Sequence, residues 1–348
     1  MTAATGKIVV VGGYGAVGRA AASSLAGRFP GRVVVAGRDP ERAERAATAI
    51  GDGTIARQAN VELAADRTRL LADAALVVMA VERANVAVAQ EALRRGVHYV
   101  DVTASPGLLE PLVGLDELAV RAGSTAVLSV GLAPGLTNLL AVDCLKELPA
   151  ADTVELSVLL GTGDPHGRDS LRWIVEQAAD ASESTVRTPR PRRVRVDLPG
   201  AGRRTVFPFP FSDQYVLADQ RGVRATTRMC LDSAALTWTL FGARAGGLFR
   251  LARRVRMDDM LVTALAGLRV GSDRFVVQAS ASGAGGAVVT RAAAGRGTSR
   301  VTGAVAAAVA GRVLAGGVEV PAGVVQIDQV VGLSDLLSDL TCYGVSLR

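Results

Sequence analysis

From residue 7 to residue 130, short β-branched runs alternate with helix-patterned segments, and no other feature limits the fold so severely. Lys7–Val11, Arg32–Ala36, Thr54–Ala59, Ala75–Val81, Val97–Val102 and Thr125–Val130 read as strands. Between them, Ala16–Gly27, Glu41–Ile50, Val61–Ala72, Asn85–Arg95 and Leu108–Ala122 read as helices. Strands this uniformly apolar are buried on both faces, so their sheet is parallel with helices on each side. Alternation through right-handed crossovers gives a Rossmann-type doubly wound α/β fold, and Thr125–Val130 is expected to close it.

Beyond Gly131 the pattern changes. Pro134-Gly135 breaks the chain before a helix from Leu136 to Leu148, and Thr153–Leu160 alternates as a strand. Arg168–Ala179 reads as a helix and Arg193–Leu198 as a strand within a Pro- and Arg-rich connection. Phe207-Pro208-Phe209-Pro210-Phe211 is expected at an edge or in a loop, because its two prolines donate no ladder hydrogen bonds. Ala234–Leu268 is mostly helical with a break at Gly246-Gly247, Arg274–Ser282 and Gly286–Ala293 form a hairpin, and Ser299–Leu314 is an Ala-rich helix. With 348 residues the chain exceeds one ordinary core. The expected organisation is a Rossmann domain over 1–131, an α+β domain over 132–299, and a tail over 300–348 with no core of its own.

Composition removes several classes of function. The net charge is +6, carried almost wholly by arginine, since Lys7 and Lys146 are the only lysines. Few aromatics and no Cys/His metal spacing leave nucleic-acid recognition without its usual machinery, and no metal site is expected. Cys144, Cys230 and Cys342 are scattered and odd in number, which fits reduced thiols in a cytoplasm. No export leader and no bilayer-spanning run are read from the sequence.

The chemistry concentrates in Val9-Val10-Val11-Gly12-Gly13-Tyr14-Gly15-Ala16-Val17-Gly18-Arg19. Gly13, Gly15 and Gly18 have the G-x-G-x-x-G spacing directly after an apolar strand and at the start of a helix. Gly13 serves the tight turn, Gly15 the approach of backbone to a pyrophosphate, and Gly18 the close packing of helix on sheet. Tyr14, Ala16 and Val17 complete the phosphate-binding turn, where unpaired N–H groups and the helix dipole meet the phosphates. At the end of the second strand Ala36-Gly37-Arg38-Asp39-Pro40 puts Arg38 where an acidic residue would hold the ribose of NAD, which favours NADP(H). Asp39 reads as a helix N-cap followed by proline.

Ligands of a doubly wound sheet lie beyond the carboxyl ends of its strands. Ala80 and Val81 are placed along the nicotinamide, and Thr103 near its carboxamide. Asp101 has two readings: a general acid with a raised pKa, or a carboxylate that ties down loops. His98 reads as a satisfied core residue, and one of His98 and Tyr99 is expected to point into the core. Asn138, His166 and Arg168 are candidate substrate contacts, with Arg224 a second possible carboxylate anchor. Gly161-Thr162-Gly163 fits either a ligand loop or a plain turn. Leu236–Leu251 fits a dimer interface, a lipophilic channel or a lipid-touching helix.

The glycine-rich stretch and Ala36-Gly37-Arg38-Asp39 resemble the NADP-binding domain of saccharopine dehydrogenase-like oxidoreductases. Ala92–Thr103 is similar to that family's helix-to-strand signature, and Gly131–Leu140 looks like its passage into the second domain. Thr302 with its Ala-rich helix, then Pro321-Ala322-Gly323-Val324, resembles the family's C-terminus. The resemblance implies hydride transfer between NADP(H) and an imine or secondary-amine small molecule, a tail that returns to the first domain, a substrate and dimerisation role for the α+β domain over 132–299, and a homodimer. Two rivals stand beside it: an enoyl reductase acting on an activated C=C of a lipophilic or thioester substrate, and a cofactor-binding sensor or partner subunit without turnover.

Overall fold

A computed structural model describes residues 6–164, 168–179, 192–255, 257–267, 271–316 and 320–348. Contacts divide the chain into two compact units, Met1–Leu136 with Arg300–Leu340, and Thr137–Ser299 with Thr341–Arg348.

The first unit holds β1 (Lys7–Val11), α1 (Ala16–Arg28), β2 (Val33–Gly37), α2 (Pro40–Ile50), β3 (Ile55–Gln58), α3 (Ala64–Leu70) and β4 (Ala74–Met79). α4 (Asn85–Arg94), β5 (His98–Asp101), α5 (Leu109–Val113), α6 (Asp116–Ala122) and β6 (Thr125–Leu128) follow. All pairs in its sheet are parallel. Val9, Val34, Val77 and Tyr99 are fully enclosed between the helical layers, as burial on both faces requires. The expected single helix over Leu108–Ala122 is two, because Gly114 and Leu115 interrupt it between α5 and α6.

Thr125–Val130 does not close the sheet. A seventh strand, β13 (Gly323–Gln326), arrives from the tail and pairs in parallel with β6, giving the order β13-β6-β5-β4-β1-β2-β3. The order in which strands are added reverses between β1 and β4, so the carboxyl ends of these two strands flank the usual ligand crevice. The tail also supplies α13 (Thr298–Ala315), whose small residues allow close packing on α1. A Cβ on Gly303 would lie 2.6 Å from both the Ala20 Cβ and the Ala21 nitrogen. α14 (Leu333–Leu340) is tied to α13 by the Arg312–Asp339 ion pair at 2.5 Å.

The second unit contains α7 (Thr137–Glu147), β7 (Thr153–Leu160), α8 (Arg168–Ala179), β8 (Val194–Leu198), β9 (Gly202–Pro208), α9 (Ser212–Arg221) and β10 (Arg224–Leu231). α10 (Ala234–Ala245), α11 (Leu248–Arg254), α12 (Asp258–Gly267), β11 (Arg274–Ser282), β12 (Val288–Arg296) and β14 (Ser346–Leu347) complete it. Its sheet order is β14-β12-β11-β7-β10-β9-β8, with only β7 and β10 parallel. The final residues of the tail belong here because β14 pairs with β12.

The Phe-Pro stretch is neither edge nor loop at its start. Phe207 and Pro208 end β9, an interior strand, where it leaves β8 and pairs with Met229 and Arg228 of β10. β8 has already ended at Val194 opposite Val206, while pairing with β10 runs past the proline, the Phe209 N–H donating to the Thr227 carbonyl at 3.0 Å, and the Pro208 carbonyl accepts from Arg244 at 2.9 Å.

Buried Asp213, on α9, is held by the Thr227 hydroxyl at 2.6 Å, the Thr137 hydroxyl at 2.9 Å and the Gln214 N–H at 2.8 Å. No cation accompanies it in these bonds, and burial pushes its carboxyl up to about 6. The folded state therefore keeps a proton that the unfolded chain releases near pH 4. Stability from this group is fully present below about pH 4 and falls by roughly 3 kcal/mol as pH rises through 6. Asp213→Asn should gain on wild type by up to that amount (~3 kcal/mol) between pH 4 and 7 in denaturant unfolding. A stability difference independent of pH would contradict the assignment.

Candidate functional site

The glycine turn is built by backbone contacts that leave no room for side chains. Gly12, not Gly13, takes the left-handed conformation, with φ of 76°. Its N–H and that of Gly13 donate to the Ala36 carbonyl at 2.9 and 3.3 Å, pinning the turn to the end of β2. A Cβ on Gly13 would lie 2.9 Å from the Val10 carbonyl oxygen, and one on Gly18 only 2.3 Å from that of Gly12. Gly13 thus serves close approach, while Gly12 makes the bend. The Gly-Gly pair was the sequence signal for that exchange of roles.

Gly15 occupies the N-cap of α1 and no side chain caps that end. The first-turn N–H groups of Ala16, Val17 and Gly18 are left for a ligand, and the dipole there favours an anion. A paired phosphate fits this cradle because glycine stands where a Cβ would intrude.

Tyr14 turns its ring towards β2 instead of towards the cradle. A Cβ on Gly37 would meet the ring at 2.2 Å, so the glycine before Arg38 exists to admit it. Arg38 is exposed, and Gln58 donates to its carbonyl at 3.2 Å. The Asp39 carboxylate accepts the Arg42 N–H at 3.0 Å as the N-cap of α2, followed by Pro40. The cap gives Asp39 a role that needs no ribose.

At the end of β4 the Ala80 N–H donates to the Val11 carbonyl at 3.0 Å. The Val81 side chain lies against the bare face of Gly12, where a Cβ would meet it at 2.4 Å. Both residues therefore border the turn.

Asp101 is buried at the end of β5. The Tyr99 hydroxyl and Asn85 Nδ2, the latter at 3.1 Å, donate to one carboxylate oxygen, and the Thr103 N–H donates to the other at 2.8 Å. Burial pushes the carboxyl up, while those donors pull it down. Burial first, then the Asp101 charge, holds the Tyr99 hydroxyl well above its ordinary range. The network joins β5, the start of α4 and the loop carrying Thr103. Sequence reasoning missed Asn85, whose only signal was its place at the head of a helix.

Of the pair His98 and Tyr99, Tyr99 is the core residue. His98 Nδ1 accepts the Thr125 N–H at 3.1 Å, and burial lowers its pKa, so it is a neutral acceptor.

The remaining candidates fall in the second unit. Asn138 is buried on α7, beside the Thr137 hydroxyl that serves Asp213. His166 lies outside the described residues, and of Arg168 only its place at the head of α8 is described. Arg224 pairs with Asp152 at 2.9 Å on an exposed surface. Gly161 and Gly163 serve backbone packing, since Cβ atoms there would meet the Ser272 and Gly271 carbonyls at 2.2 and 2.5 Å. Thr162 binds Asp232 through both its N–H and its hydroxyl, at 3.2 and 2.9 Å. The plain-turn reading holds there. In Leu236–Leu251, Phe241 and Phe249 are buried whereas Trp238, Leu248 and Leu251 are exposed. No helix among the described residues is long and apolar enough to cross a membrane.

Residues 8–127, spanning β1 to β6, match the family described as the saccharopine dehydrogenase NADP binding domain. The chain has a saccharopine dehydrogenase-like NADP-binding domain. The glycine cradle and Arg38 both lie inside the matched region. No curated protein matches the sequence. Among solved structures, apo saccharopine dehydrogenase (L-Glu forming) from Saccharomyces cerevisiae is similar at 18% identity and a TM-score of 0.66, with 99% of each chain covered. A DAP dehydrogenase from C. glutamicum is similar at 13% identity and a TM-score of 0.47, covering 97% of this chain and 99% of that one. The saccharopine dehydrogenase-like NADP-binding domain thus sits in a two-unit fold shared with the yeast enzyme, and that similarity concerns the fold.

Proposed function

We propose that this chain is an NADP(H)-dependent oxidoreductase that reduces an imine, or oxidises the corresponding secondary amine, in a small molecule. The observation that carries the proposal is the uncapped glycine turn of a saccharopine dehydrogenase-like NADP-binding domain, with Arg38 where an acidic ribose acceptor would stand. When bound, NADPH supplies the hydride for the imine carbon, while the nitrogen takes a proton.

The residues do the positioning. Gly15 and the first turn of α1 hold the paired phosphates, Arg38 holds the 2′-phosphate, and Ala80 and Val81 border the approach. Asp101 fits the positioning role better than the acid role, because both its oxygens already accept hydrogen bonds within the protein. It fixes the Thr103 loop, and the proton comes from water. Asn138, His166 and Arg168 remain the proposed substrate contacts in the second unit.

Arg38→Ala should weaken NADPH binding by about 10- to 100-fold, the worth of a charge-assisted contact, and leave NADH binding within about 3-fold. Fluorescence titration of the two nucleotides measures this, and equal losses for both would remove Arg38 from the 2′-phosphate. NADPH oxidation screened against cyclic imines, amine–keto-acid mixtures and enoyl thioesters tests the reaction. Turnover with enoyl thioesters alone would replace imine chemistry with C=C reduction. Nucleotide binding without turnover on any of them would favour the sensor reading.

A further inference from the structure

The geometry points to Arg42, stacked on the Tyr14 ring, as a second determinant of cofactor choice that grips the 2′-phosphate together with Arg38. This inference rests on the NADP(H) reading above.

Three observations meet at the end of β2. The Arg42 guanidinium carbon lies 4.4 Å from the centroid of the Tyr14 ring, so a planar cation covers a π-face. The opposite constraint comes from Gly37, where any side chain would collide with the ring at 2.2 Å. The ring is therefore wedged between strand and guanidinium, and it belongs to the same turn that cradles the pyrophosphate. Arg42 is thereby fixed relative to the phosphate site, not left to swing on its own helix.

The charges are also unbalanced. Neither Arg38 nor Arg42 makes an ion pair among the described residues. One Asp39 carboxylate oxygen accepts the backbone N–H of Arg42, and Glu41 faces Arg45 at 3.4 Å. Arg42 stands in the first turn of α2, where the helix dipole disfavours a cation. Arg38 follows β2 directly and Arg42 stands one helical turn beyond it, neither with a carboxylate partner among the described residues, so the pair is complementary to a dianion, and the end of β2 is where the 2′ position of an adenosine ribose lies in this fold. Stacking leaves the edge N–H groups of Arg42 available for phosphate oxygens, which a lysine could not present in the same plane.

The test uses the full chain and four probes: NADPH, NADH, 2′-AMP and 5′-AMP. Arg42→Ala should weaken NADPH and 2′-AMP by about 10- to 100-fold and leave NADH and 5′-AMP within about 3-fold. Arg42→Lys should recover only part of that loss. Tyr14→Leu should weaken NADPH in the same selective way, whereas Tyr14→Phe, which keeps the ring, should recover most of the preference for NADPH over NADH. Thermal melting of each variant checks that it is folded. Equal losses for NADPH and NADH would mean that Arg42 contacts adenine, and no loss would mean that the stack is only structural; either result overturns the inference while the NADP(H) reading stands. A wild-type protein that binds neither nucleotide would instead overturn that underlying reading, and this inference with it.

Discussion

Gly18→Val is expected to abolish nucleotide binding at micromolar concentrations, a loss on the order of 1,000-fold. The reason is geometric. A Cβ at residue 18 would lie 2.3 Å from the Gly12 carbonyl oxygen, 2.8 Å from its carbon and 2.9 Å from the Gly13 Cα. All three are backbone atoms, so no rotamer change relieves the contact. Either α1 lifts from the turn or the turn opens, and both movements part the first-turn N–H groups from the phosphates. Several charge-assisted hydrogen bonds, each worth about 1.5–3 kcal/mol, are then lost together. Overpacking should also cost about 1–3 kcal/mol of stability, read as a lower midpoint in urea. A folded Gly18→Val protein that binds NADPH as tightly as wild type would remove the close helix–turn contact from the binding mechanism.

Asp101→Ala should be the most destabilising single change in the first unit's polar network, by about 3–5 kcal/mol. The deletion leaves the fully buried Tyr99 hydroxyl, the Asn85 amide and the Thr103 N–H without their acceptor. Asn85 Oδ1 has no hydrogen-bond partner among the described residues, so that atom offers nothing to offset the loss. Asp101→Asn keeps the shape and one acceptor oxygen, and should cost less, about 1–2 kcal/mol. Where this variant is folded and binds NADPH normally, turnover should stay within about 3-fold of wild type, because water supplies the proton. A kcat about 100-fold lower at unchanged NADPH affinity would restore Asp101 to the acid role.

How far the sequence reaches is clear from particular residues. β1, β2 and β4 were legible because Val9-Val10-Val11, Val33-Val34-Val35 and Leu76-Val77-Val78 are apolar on both faces, a pattern only a covered parallel strand tolerates. The cradle was legible because its glycines are local to one turn. β13 was not, since its partner β6 lies far away in sequence and Gly323–Gln326 is too short to carry a period. The same limit hid the Tyr14–Gly37–Arg42 stack, in which each residue looks ordinary until two segments meet. Asp101 could be flagged as interesting, but its role depends on Tyr99 and Asn85, and hydrogen-bond partners are not written in spacing. The second unit was least legible, because Asp213 draws its donors from α7, its own helix and β10. The Phe-Pro alternation misled for a related reason: proline costs a ladder bond only where a strand stands opposite its nitrogen, and β8 ends before Pro208.

Calorimetric titration of the purified chain with NADPH and with NADH tests the central claim most directly. One NADPH per chain, bound at least about 10-fold more tightly than NADH, is the result that the uncapped glycine turn and Arg38 require. No binding of either nucleotide, or a preference for NADH, would contradict it.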